Sequence, residues 1–477
     1  MLYINGQWQP AHSGETFEVI NPANGEIVGV TAKGAAADAA AAIRAAKAAF
    51  PEWSSKTAKE RSAYIRKAAD FLRSKADEIA RLTTREMGKP IAESRGELSL
   101  AVDYLDWYAE EGKRVYGDTI PSSSPNKRIV VLRQPVGVVG AITPWNFPLA
   151  MITRKIAPAI AAGCTVVLKA ASATPLSAIE IFKAFHEAEL PPGVVNLVNG
   201  TASEVVGAMM ESPDVRKITF TGSTEIGKEL VRQSADTMKK VSMELGGHAP
   251  LLVFADADLE KAAEGAIASK FRNAGQTCVC TNRIYVEKPV VRQFSALMAE
   301  KMKALTVGNG LEEGVAIGPL IDEQAIAKVE FQISDAVAKG AEIVCGGSRL
   351  TDGDYACGTF YEPTVLLHAS HEMAVAREET FGPIAPIFEF ETEAEAVKKA
   401  NDTEYGLASY VFTRDLSRMI RIAEKLEYGI VGINDPLPTV AQAPFGGIKE
   451  SGIGREGGKY GIEDYLEYKF LSIQISD

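Results

Sequence analysis

A cysteine and a glutamate are the residues of this chain best suited to chemistry. Cys278 follows a Gly-Gln-Thr turn at 275–277, where a thiol can point into a pocket instead of packing into a core. Glu244 lies earlier in the chain, within an apolar run that ends in Gly246 and Gly247. The whole chain has only five histidines, the usual partners of a catalytic thiol. The pattern predicts covalent catalysis in which Cys278 is the nucleophile and Glu244 the general base.

Two further residues fit that chemistry, and each has a plainer alternative. Burial should raise the pKa of the Glu244 carboxyl, which suits a base near neutral pH, although a structural ion pair would explain the same placement. Asn146 carries the only side-chain amide of the Pro-Trp-Asn-Phe-Pro segment at 144–148. Because the prolines fix the backbone, this amide could be a preorganised donor to an oxyanion. The alternative for Asn146 is a purely structural turn.

Dinucleotide-binding features are present but are individually weak. The segment 220–227 joins a predicted strand to a predicted helix, and its Ser223 and helix N-terminus can accept a pyrophosphate. A plain N-cap is the alternative. Lys169 ends a predicted strand and would point into a ligand crevice, unless it is simply solvated. The Gly-x-Gly-x-x-Gly pattern at 452–457 is not a dinucleotide loop, because too little chain follows it for a βαβ unit.

These residues are embedded in two alternating series of strands and helices, which predicts an α/β fold with two parallel domains and a cleft between them. The series meet near residues 246–248, between the glutamate and the cysteine. A helical region at 35–115 precedes them, and a strand at 129–133 and the C-terminal tail lie outside them. That strand and the tail could form a β arm for self-association or could be edge strands of the main sheets. The predicted division is a dinucleotide-binding domain at 1–116 and 137–247, a catalytic domain at 248–450, and an oligomerisation arm and tail at 117–136 and 451–477.

Composition excludes several classes of protein. The net charge of −11 argues against a nucleic-acid or anionic-membrane partner. The longest apolar run, 136–151, is broken by prolines and is not a membrane span. The N-terminus lacks a targeting signal, and five irregularly spaced cysteines are typical of reduced thiols, so a cytoplasmic location is expected. No metal is expected, because the Cys-x-Cys at 278–280 lacks a second pair and the histidines at 368–371 lack nearby carboxylates.

Six motifs in this order resemble the aldehyde dehydrogenase superfamily along nearly the whole chain. They are Pro-Trp-Asn-Phe-Pro at 144–148, 220–227, Glu-Leu-Gly-Gly at 244–247, Gly-Gln-Thr-Cys at 275–278, Glu-Thr-Phe-Gly-Pro at 379–383 and Pro-Phe-Gly-Gly at 444–447. The resemblance implies that Cys278 is the nucleophile, that Asn146 and the Cys278 backbone N–H form the oxyanion hole, and that Glu244 activates the deacylating water. It also implies a proton relay through Lys155 and Glu456.

The same resemblance implies a nicotinamide cofactor. The residues that would hold it are Ile142, Pro144, Trp145, Lys169, Ser172, Gly222, Ser223, Gly227, Leu245, Glu379 and Phe381. Family members strict for NAD often carry glutamate at the position of Ser172, where a carboxylate would repel a 2′-phosphate. Serine there, close to Lys169, predicts that NADP is accepted along with NAD. The resemblance further implies a homodimer or homotetramer.

Within the superfamily the chain looks most like the succinate-semialdehyde dehydrogenases. In that branch two arginines, here Arg154 and Arg272, bind the distal carboxylate of the substrate with help from a hydroxyl, here Thr439. Threonine replaces the familiar serine, so glutarate or 2-oxoglutarate semialdehyde, or a broad aliphatic aldehyde, remains an alternative small-molecule substrate. Cys280 matches a position that forms a regulatory disulfide with the nucleophile in some members; a passive small residue is the alternative.

Two functions from other classes stay open at this stage. A cysteine hydrolase or transferase would use Cys278 without a nicotinamide, although such enzymes usually pair the thiol with histidine. A non-catalytic binding protein on the same scaffold is disfavoured by the joint presence of Cys278, Glu244 and Asn146.

Overall fold

A computed structural model describes residues 1–476 of the chain, and its helices follow the predicted segments closely. They are α1 Ala36–Ser55, α2 Ala58–Ser74, α3 Ala76–Met87, α4 Ile91–Glu111, α5 Ala150–Ala162, α6 Pro175–Glu187, α7 Ala202–Glu211, α8 Thr224–Ser234, α9 Leu259–Phe271, α10 Val291–Met302, α11 Glu323–Ala338, α12 Ala374–Arg377, α13 Glu393–Asn401, α14 Leu416–Lys425 and α15 Tyr460–Glu463. Within the predicted helical region at 35–115, α2 and α3 are separated at Lys75, which leaves helical geometry with φ −112° and ψ 17°.

The first sheet has eight strands in the order β2-β1-β9-β8-β7-β10-β11-β23. Their bounds are β1 Leu2–Ile4, β2 Gln7–Gln9, β7 Val138–Ile142, β8 Thr165–Lys169, β9 Val195–Leu197, β10 Val215–Thr221, β11 Lys240–Glu244 and β23 Gly452–Ile453. The five central strands run parallel, and the outer strands β1, β2 and β23 pair antiparallel. In sheet order the central strands are β9, β8, β7, β10 and β11. Helices connect the parallel strands, as the alternating pattern predicted.

The second sheet has seven strands in the order β16-β19-β20-β13-β12-β21-β22. Their bounds are β12 Ala249–Val253, β13 Thr281–Glu287, β16 Glu342–Cys345, β19 Thr364–Leu367, β20 Ile384–Phe390, β21 Ala408–Phe412 and β22 Ile430–Ile433. All pairs except β16–β19 are parallel. The chain passes from the first sheet to the second through residues 245–248. Two parallel sheets flanked by helices are the predicted α/β architecture.

Smaller sheets complete the fold. The strand expected near 129–133 is paired with the C-terminal tail over nine residues in a separate antiparallel sheet, β24-β6-β5. The bounds of the remaining strands are β3 Thr16–Ile20, β4 Ile27–Ala32, β5 Asp118–Ile120, β6 Lys127–Pro135, β14 Thr306–Val307, β15 Val315–Ile317, β17 Arg349–Leu350, β18 Phe360–Tyr361 and β24 Leu466–Gln474. Part of the predicted tail segment lies elsewhere, because β23 pairs with β11 of the first sheet. No helix among residues 1–476 combines the length and the apolar character needed to cross a lipid bilayer.

The motif residues lie at opposite edges of the two large sheets, the carboxyl edge of the first and the amino edge of the second. In the first sheet Ile142, Lys169 and Glu244 all lie at the carboxyl ends of neighbouring parallel strands, in register with one another or with the end of β10. In the second sheet Cys278 comes just before β13 and Phe381 just before β20, at the amino edge. Ligands of parallel sheets bind outside the carboxyl edge, which is where the residues of the first sheet lie. The loops before β13 and β20 bring Cys278 and Phe381 to the same cavity.

Candidate active site

Cys278 lies on the loop between α9 and β13 and borders two cavities at once. Its side chain is half-buried and it forms no disulfide. The crossing segment between the sheets passes directly behind it: a Cβ on Gly247 would stand 2.1 Å from the Cys278 carbonyl oxygen. Only glycine permits this close approach, which explains why the Glu-Leu-Gly-Gly motif accompanies the cysteine.

The thiol of Cys278 is protonated at neutral pH in this environment. Burial raises its pKa to about 12, and the nearby charge of Glu244 acts in the same direction, while Arg154 opposes both. A buried thiol of this kind is a poor nucleophile until a base removes its proton. The site therefore needs a base for the cysteine as well as for water.

Asn146 is held by hydrogen bonds on both its backbone and its side chain. It is buried, its Nδ2 donates to the backbone oxygen of Gln276 at 3.0 Å, and its own backbone oxygen accepts from Asn273 Nδ2 at 3.1 Å. An amide nitrogen carries two hydrogens, so one N–H of Nδ2 is still available to a ligand. Among the hydrogen bonds of residues 1–476, none is donated by the Cys278 backbone N–H.

Glu244 ends β11 in a buried position with no hydrogen-bond partner on either carboxylate oxygen in the described chain. Burial raises its pKa to about 8, the charge of Glu456 adds to this, and Arg154 and Lys155 oppose it. Its space is set by Gly446, where φ is +155° and a Cβ would stand 2.7 Å from Glu244 Oε1. A buried carboxyl without partners and with a pKa near neutrality has the properties of a general base.

Glu456 joins Arg154 and Lys155 in a buried cluster beside Glu244. Lys155 Nζ lies 2.5 Å from Glu456 Oε1 and also donates to Thr219 Oγ1 at 3.2 Å. Arg154 Nε lies 2.5 Å from Glu456 Oε2, an ion pair whose atoms are not aligned for a hydrogen bond. Burial alone would raise the pKa of Glu456, but Lys155 and Arg154 outweigh burial and hold it below the usual value. The two predicted relay residues are thus in direct contact.

The larger cavity, of about 470 Å³, brings together most of the residues predicted to hold a cofactor. Those that line it are Pro144, Trp145, Gly222, Ser223, Leu245, Glu379 and Phe381. Asn146 and Cys278 lie on the same wall. Trp145 and Phe381 meet edge to face at 5.6 Å, and Ser223 is the N-cap of α8, accepting from Ile226 N at 3.4 Å. The helix N-terminus therefore opens towards the cavity.

Four predicted cofactor residues do not line this cavity. Ile142 is buried in β7, and Gly227 lies against Leu245 beside a separate cavity of about 280 Å³. Lys169 is buried at the end of β8, where burial lowers the pKa of its ammonium to about 8 and its Nζ donates to the Ala170 backbone oxygen at 2.5 Å. Ser172 is exposed and its hydroxyl lies 3.3 Å from the Gly200 backbone oxygen.

The smaller cavity, of about 30 Å³, contains all three residues predicted to hold a substrate carboxylate. Arg154, Arg272 and Thr439 line it together with Cys278 and aromatic side chains. The Arg272 guanidinium carbon stands 4.8 Å from the centroid of the Phe147 ring. Within residues 1–476 the Arg272 side chain has no hydrogen-bond or ion-pair partner, whereas Arg154 is already paired with Glu456.

Cys280 lies apart from the cavities. It is 1% exposed, and its Sγ contacts the Gly275 backbone oxygen at 3.3 Å and Lys270 Nζ at 3.6 Å. Burial raises its pKa, so it is a neutral thiol inside the loop that carries Cys278. Its predicted redox role stays a prediction.

Sequence reasoning missed part of the cavity walls. Residues from the start of α11, among them Asp322, Gln324 and Lys328, line the larger cavity. Asp322 is the N-cap of this helix, a signal readable in the sequence, but nothing there indicates that the helix faces the cleft. Met151 lines both cavities, and its sulfur accepts a hydrogen bond from Arg154 Nη2 at 2.9 Å. No cluster suited to a metal ion occurs among residues 1–476.

Comparison with known sequences agrees with this geometry. The pattern of the aldehyde dehydrogenase family matches residues 8–471. The chain is 54% identical over 473 residues to the glutarate-semialdehyde dehydrogenase of Pseudomonas putida strain KT2440, covering 99% of this chain and 97% of the relative. It is also 54% identical over 472 residues to the NADP(+) succinate-semialdehyde dehydrogenase of Escherichia coli strain K12, with 99% and 97% covered.

Comparison with solved structures gives the same result for the fold. An Escherichia coli NADP-dependent enzyme matches with a TM-score of 0.98 and 54% sequence identity, over 99% of this chain and 98% of that one. The predicted fold class and the predicted resemblance are confirmed. With the family pattern spanning nearly the whole length and the motif residues gathered around one cysteine, the chain belongs to the aldehyde dehydrogenase family.

Proposed function

We propose that the protein oxidises a short aldehyde that carries a carboxylate at its far end, with NADP or NAD as the oxidant. Succinate semialdehyde is the first candidate and glutarate semialdehyde the second, since relatives named for both are 54% identical to this chain. The product is the corresponding dicarboxylic acid.

The observation that carries this proposal is the unpaired guanidinium of Arg272 in a small cavity next to Cys278. No carboxylate of residues 1–476 lines that cavity or lies within ion-pair distance of Arg272. The buried Glu93 carboxyl, outside the cavity, is near enough for its charge and that of Arg272 to interact. A half-buried cation beside aromatic walls is best satisfied by an anionic ligand, and guanidinium suits a carboxylate because it can donate two parallel hydrogen bonds. An aldehyde of which one end reaches Cys278 and the other Arg272 satisfies both groups.

The size of the cavity favours a short substrate. A space of about 30 Å³ has room for roughly two water molecules, or for a few methylene groups after small side-chain movements. Thr439 offers a hydroxyl on the same wall, and Phe445 stacks 4.2 Å from the Arg154 guanidinium carbon, which holds the second arginine at the cavity. Four- and five-carbon semialdehydes fit these limits better than long or branched aldehydes.

The larger cavity fits a nicotinamide dinucleotide. Gly222 and Ser223 would take the pyrophosphate at the start of α8, where free N–H groups and the helix dipole favour anions. Glu379, whose Oε1 already accepts from Gly247 N at 2.9 Å, would bind a ribose, and Trp145 and Phe381 would flank the nicotinamide end. When bound, the dinucleotide supplies a hydride acceptor next to Cys278.

NADP is the expected cofactor, with NAD also accepted. Lys169 has no carboxylate partner within residues 1–476, and its ammonium is available to a ribose hydroxyl or a 2′-phosphate. Ser172 adds a hydroxyl and no negative charge nearby. The 2′-phosphate of NADP would therefore be attracted by the Lys169 ammonium and would meet no negative charge at Ser172.

The chemistry begins at the sulfur of Cys278. Glu244 in its ionised form accepts the thiol proton, and Sγ adds to the aldehyde carbon to form a thiohemiacetal. The resulting alkoxide is bound by the free N–H of Asn146 Nδ2 and by the Cys278 backbone N–H. Loss of hydride from the carbon then leaves a thioester on Cys278.

Hydrolysis of the thioester completes the cycle. Glu244 would first give up the thiol proton through Lys155 and Glu456. Water entering from the larger cavity then gives a proton to the ionised Glu244 and attacks the thioester carbon, which releases the acid, and Glu244 returns that proton to the departing sulfur to restore the thiol. Lys155 and Glu456 would pass the proton on, since they are in contact with each other and their charges act on Glu244. The same carboxyl thus acts twice in one turnover.

Self-association through the β24-β6-β5 sheet belongs to the same proposal. Strand β24 exposes large apolar side chains, Tyr468 and Phe470 on one face and Ile473 on the other, which a monomer would leave in water. A homodimer or homotetramer built on this arm would cover them. The division into cofactor domain, catalytic domain and arm and the cytoplasmic location likewise remain proposals.

The proposed function also includes a redox role for Cys280. A bridge between cysteines separated by one residue is strained and easily reduced, so oxidation of Cys278 with Cys280 would silence the enzyme reversibly. Because Cys280 is buried against Lys270, the bridge would require the 275–280 loop to rearrange.

The experiment that tests the function measures kcat/KM for a panel of aldehydes with NAD and with NADP at 340 nm. Succinate, glutarate and 2-oxoglutarate semialdehydes should be oxidised well, and butanal and pentanal at least about tenfold less efficiently, because the charged hydrogen bonds to Arg272 are lost. Equal rates with and without the carboxylate would refute the substrate class. Thioester hydrolysis without absorbance change at 340 nm would favour the hydrolase alternative.

A further inference from the structure

We infer that the buried ion pair Lys89–Glu97 positions Asn146 for oxyanion binding. This inference rests on the proposed function, because it concerns the alkoxide formed when Cys278 attacks an aldehyde. Neither Lys89 nor Glu97 lines either cavity that borders Cys278, so the pair acts through Asn146 and not on the substrate.

The ammonium group of Lys89 contacts the segment that carries Asn146 and also the Glu97 carboxylate. It lies between α3 and α4 and is 1% exposed. Its Nζ donates to the backbone oxygen of Asn146 at 2.6 Å and to Glu97 Oε2 at 2.6 Å. It also stands 4.0 Å from the centroid of the Phe147 ring, the residue directly after Asn146.

Glu97 holds the other end of the same segment. Its second oxygen, Oε1, accepts from the backbone N–H of Leu149 at 2.7 Å and of Ala150 at 3.2 Å. These are the first N–H groups of α5, which have no partner inside the helix. Lys89 and Glu97 therefore clamp residues 146–150 from both sides.

The clamp fixes the direction of the Asn146 amide. Its backbone oxygen is held by Lys89 and by Asn273, and one N–H of its side chain is tied to the Gln276 backbone oxygen. With these three contacts set, the remaining N–H has one orientation. Stabilisation of an oxyanion depends on donors held in advance where the charge develops, and misplacement by about 1 Å can cost as much as about 10²-fold in rate.

A purely stabilising role is a weak explanation for this pair. Burying two charges incurs a desolvation cost, and apolar side chains of similar size often stabilise a fold as well as a buried ion pair does. The N–H groups of α5 could be capped by a neutral side chain. What the charged pair adds is a fixed position for one backbone oxygen, that of the predicted oxyanion residue.

A double-mutant cycle tests the inference. Lys89→Met, Asn146→Ala and the combined variant are compared by the rate of the first-turnover burst of reduced NADP with succinate semialdehyde. We expect Asn146→Ala to slow the burst about 10²–10³-fold and Lys89→Met about tenfold. If Lys89 acts through Asn146, the combined variant should be within about twofold of Asn146→Ala. Full multiplication of the two factors would overturn the inference.

A matched control separates positioning from general damage. Lys217 is another buried lysine, bonded to Ser242 and without a hydrogen bond to the Asn146 segment in the described chain, so Lys217→Met should multiply with Asn146→Ala. If the loss caused by Lys217→Met also vanishes in the Asn146→Ala background, the masking is not specific and the inference fails. Alkylation of Cys278 by iodoacetamide, which needs no oxyanion hole, should proceed in Lys89→Met at the wild-type rate; a slower reaction would also overturn the inference.

A second variant covers the case in which Lys89→Met does not fold. Glu97→Gln keeps an oxygen for Leu149 and Ala150 but removes the charge that anchors Lys89, and it is tested in the same cycle with the same expectation. Absence of any formation of reduced NADP by the wild-type enzyme, in the first turnover or in the steady state, would refute the proposed function itself. A wild-type burst that Asn146→Ala slows, with Lys89 and Glu97 effects that multiply, refutes only the positioning role.

Discussion

The two cavities that meet at Cys278 differ in size and in charge. The larger one, of about 470 Å³, is built from loops of both sheets and contains groups of both signs, including Glu379 and Lys328. The smaller one, of about 30 Å³, has aromatic walls, two arginines and no lining carboxylate within the described residues. The first suits a large ligand that must enter, react and leave, and the second suits a short anionic chain. The smaller cavity thus serves specificity for the aldehyde and the larger one serves exchange of the cofactor, and Cys278 borders both.

Removal of Cys278 should have the largest effect, because it belongs to both cavities. Cys278→Ser is expected to lower kcat by about 10⁴-fold or more, as for other covalent nucleophiles, since a serine hydroxyl is far harder to deprotonate than a thiol. NADP affinity, measured by fluorescence titration, should stay within about twofold of wild type. Oxidation at the full rate in this variant would mean that the covalent step occurs elsewhere.

Glu244→Gln tests the base shared by the two cavities. It should lower kcat by about 10²–10⁴-fold, because neither thiol nor water can then be deprotonated efficiently. Burial raises the Glu244 pKa to about 8, and the base acts when ionised, so wild-type kcat should rise with pH up to roughly 8 and level off above it. The glutamine variant should lack this rise. If the pH profile keeps its shape in the variant, another group is the base.

Arg272→Met tests the smaller cavity alone. Methionine preserves much of the side-chain volume against Phe147 but removes the cation. We expect kcat/KM for succinate semialdehyde to fall about 10–100-fold, in line with the loss of a charged hydrogen bond, and kcat/KM for butanal to change little. The KM for NADP should not move. An equal loss for both aldehydes would show that Arg272 shapes the cavity and does not recognise charge.

Ser172→Glu tests the cofactor side of the comparison from outside the larger cavity, which Ser172 does not line, and should give the smallest effect. A carboxylate there would repel the 2′-phosphate of NADP and could accept a hydrogen bond from the ribose of NAD. Ser172 is exposed, so screening limits the penalty, and we expect about a tenfold weaker Kd for NADP with NAD little changed. Aldehyde specificity should be unaffected. An unchanged NADP constant would remove Ser172 from the cofactor site.

Much of the fold was predictable because its signals are local. Alternating apolar runs and turn residues indicated the strands and helices of both sheets, and the position of Lys169 at a strand end followed from the same pattern. Lys75 breaks one predicted helix although its neighbours favour a helix, since helical periodicity continues on both sides. The motif residues were recognised because each motif is short and contiguous.

Contacts between distant segments were not predictable in the same way. The ion pair of Arg154 with Glu456 joins residues that no pattern links, and it leaves Arg272 as the more available of the two arginines. Lys89 was not among the predicted site residues, because the residue types do not reveal that its ammonium reaches the Asn146 backbone. Side-chain partners across the cleft depend on packing, which a single sequence does not encode in any periodic form.

The short strand β23 has a consequence for how the enzyme is made. Gly452 pairs with Glu244 itself, Leu245 N donates to the Ser451 backbone oxygen at 3.0 Å, and Glu456 follows a few residues later. During synthesis the C-terminal residues leave the ribosome last. Cys278 therefore emerges long before residues 451–456, the segment that packs beside Glu244. Catalysis can begin only after release, and a chain terminated before residue 452 would lack β23, β24 and the core residues Ile462 and Tyr465, together with the segment beside Glu244.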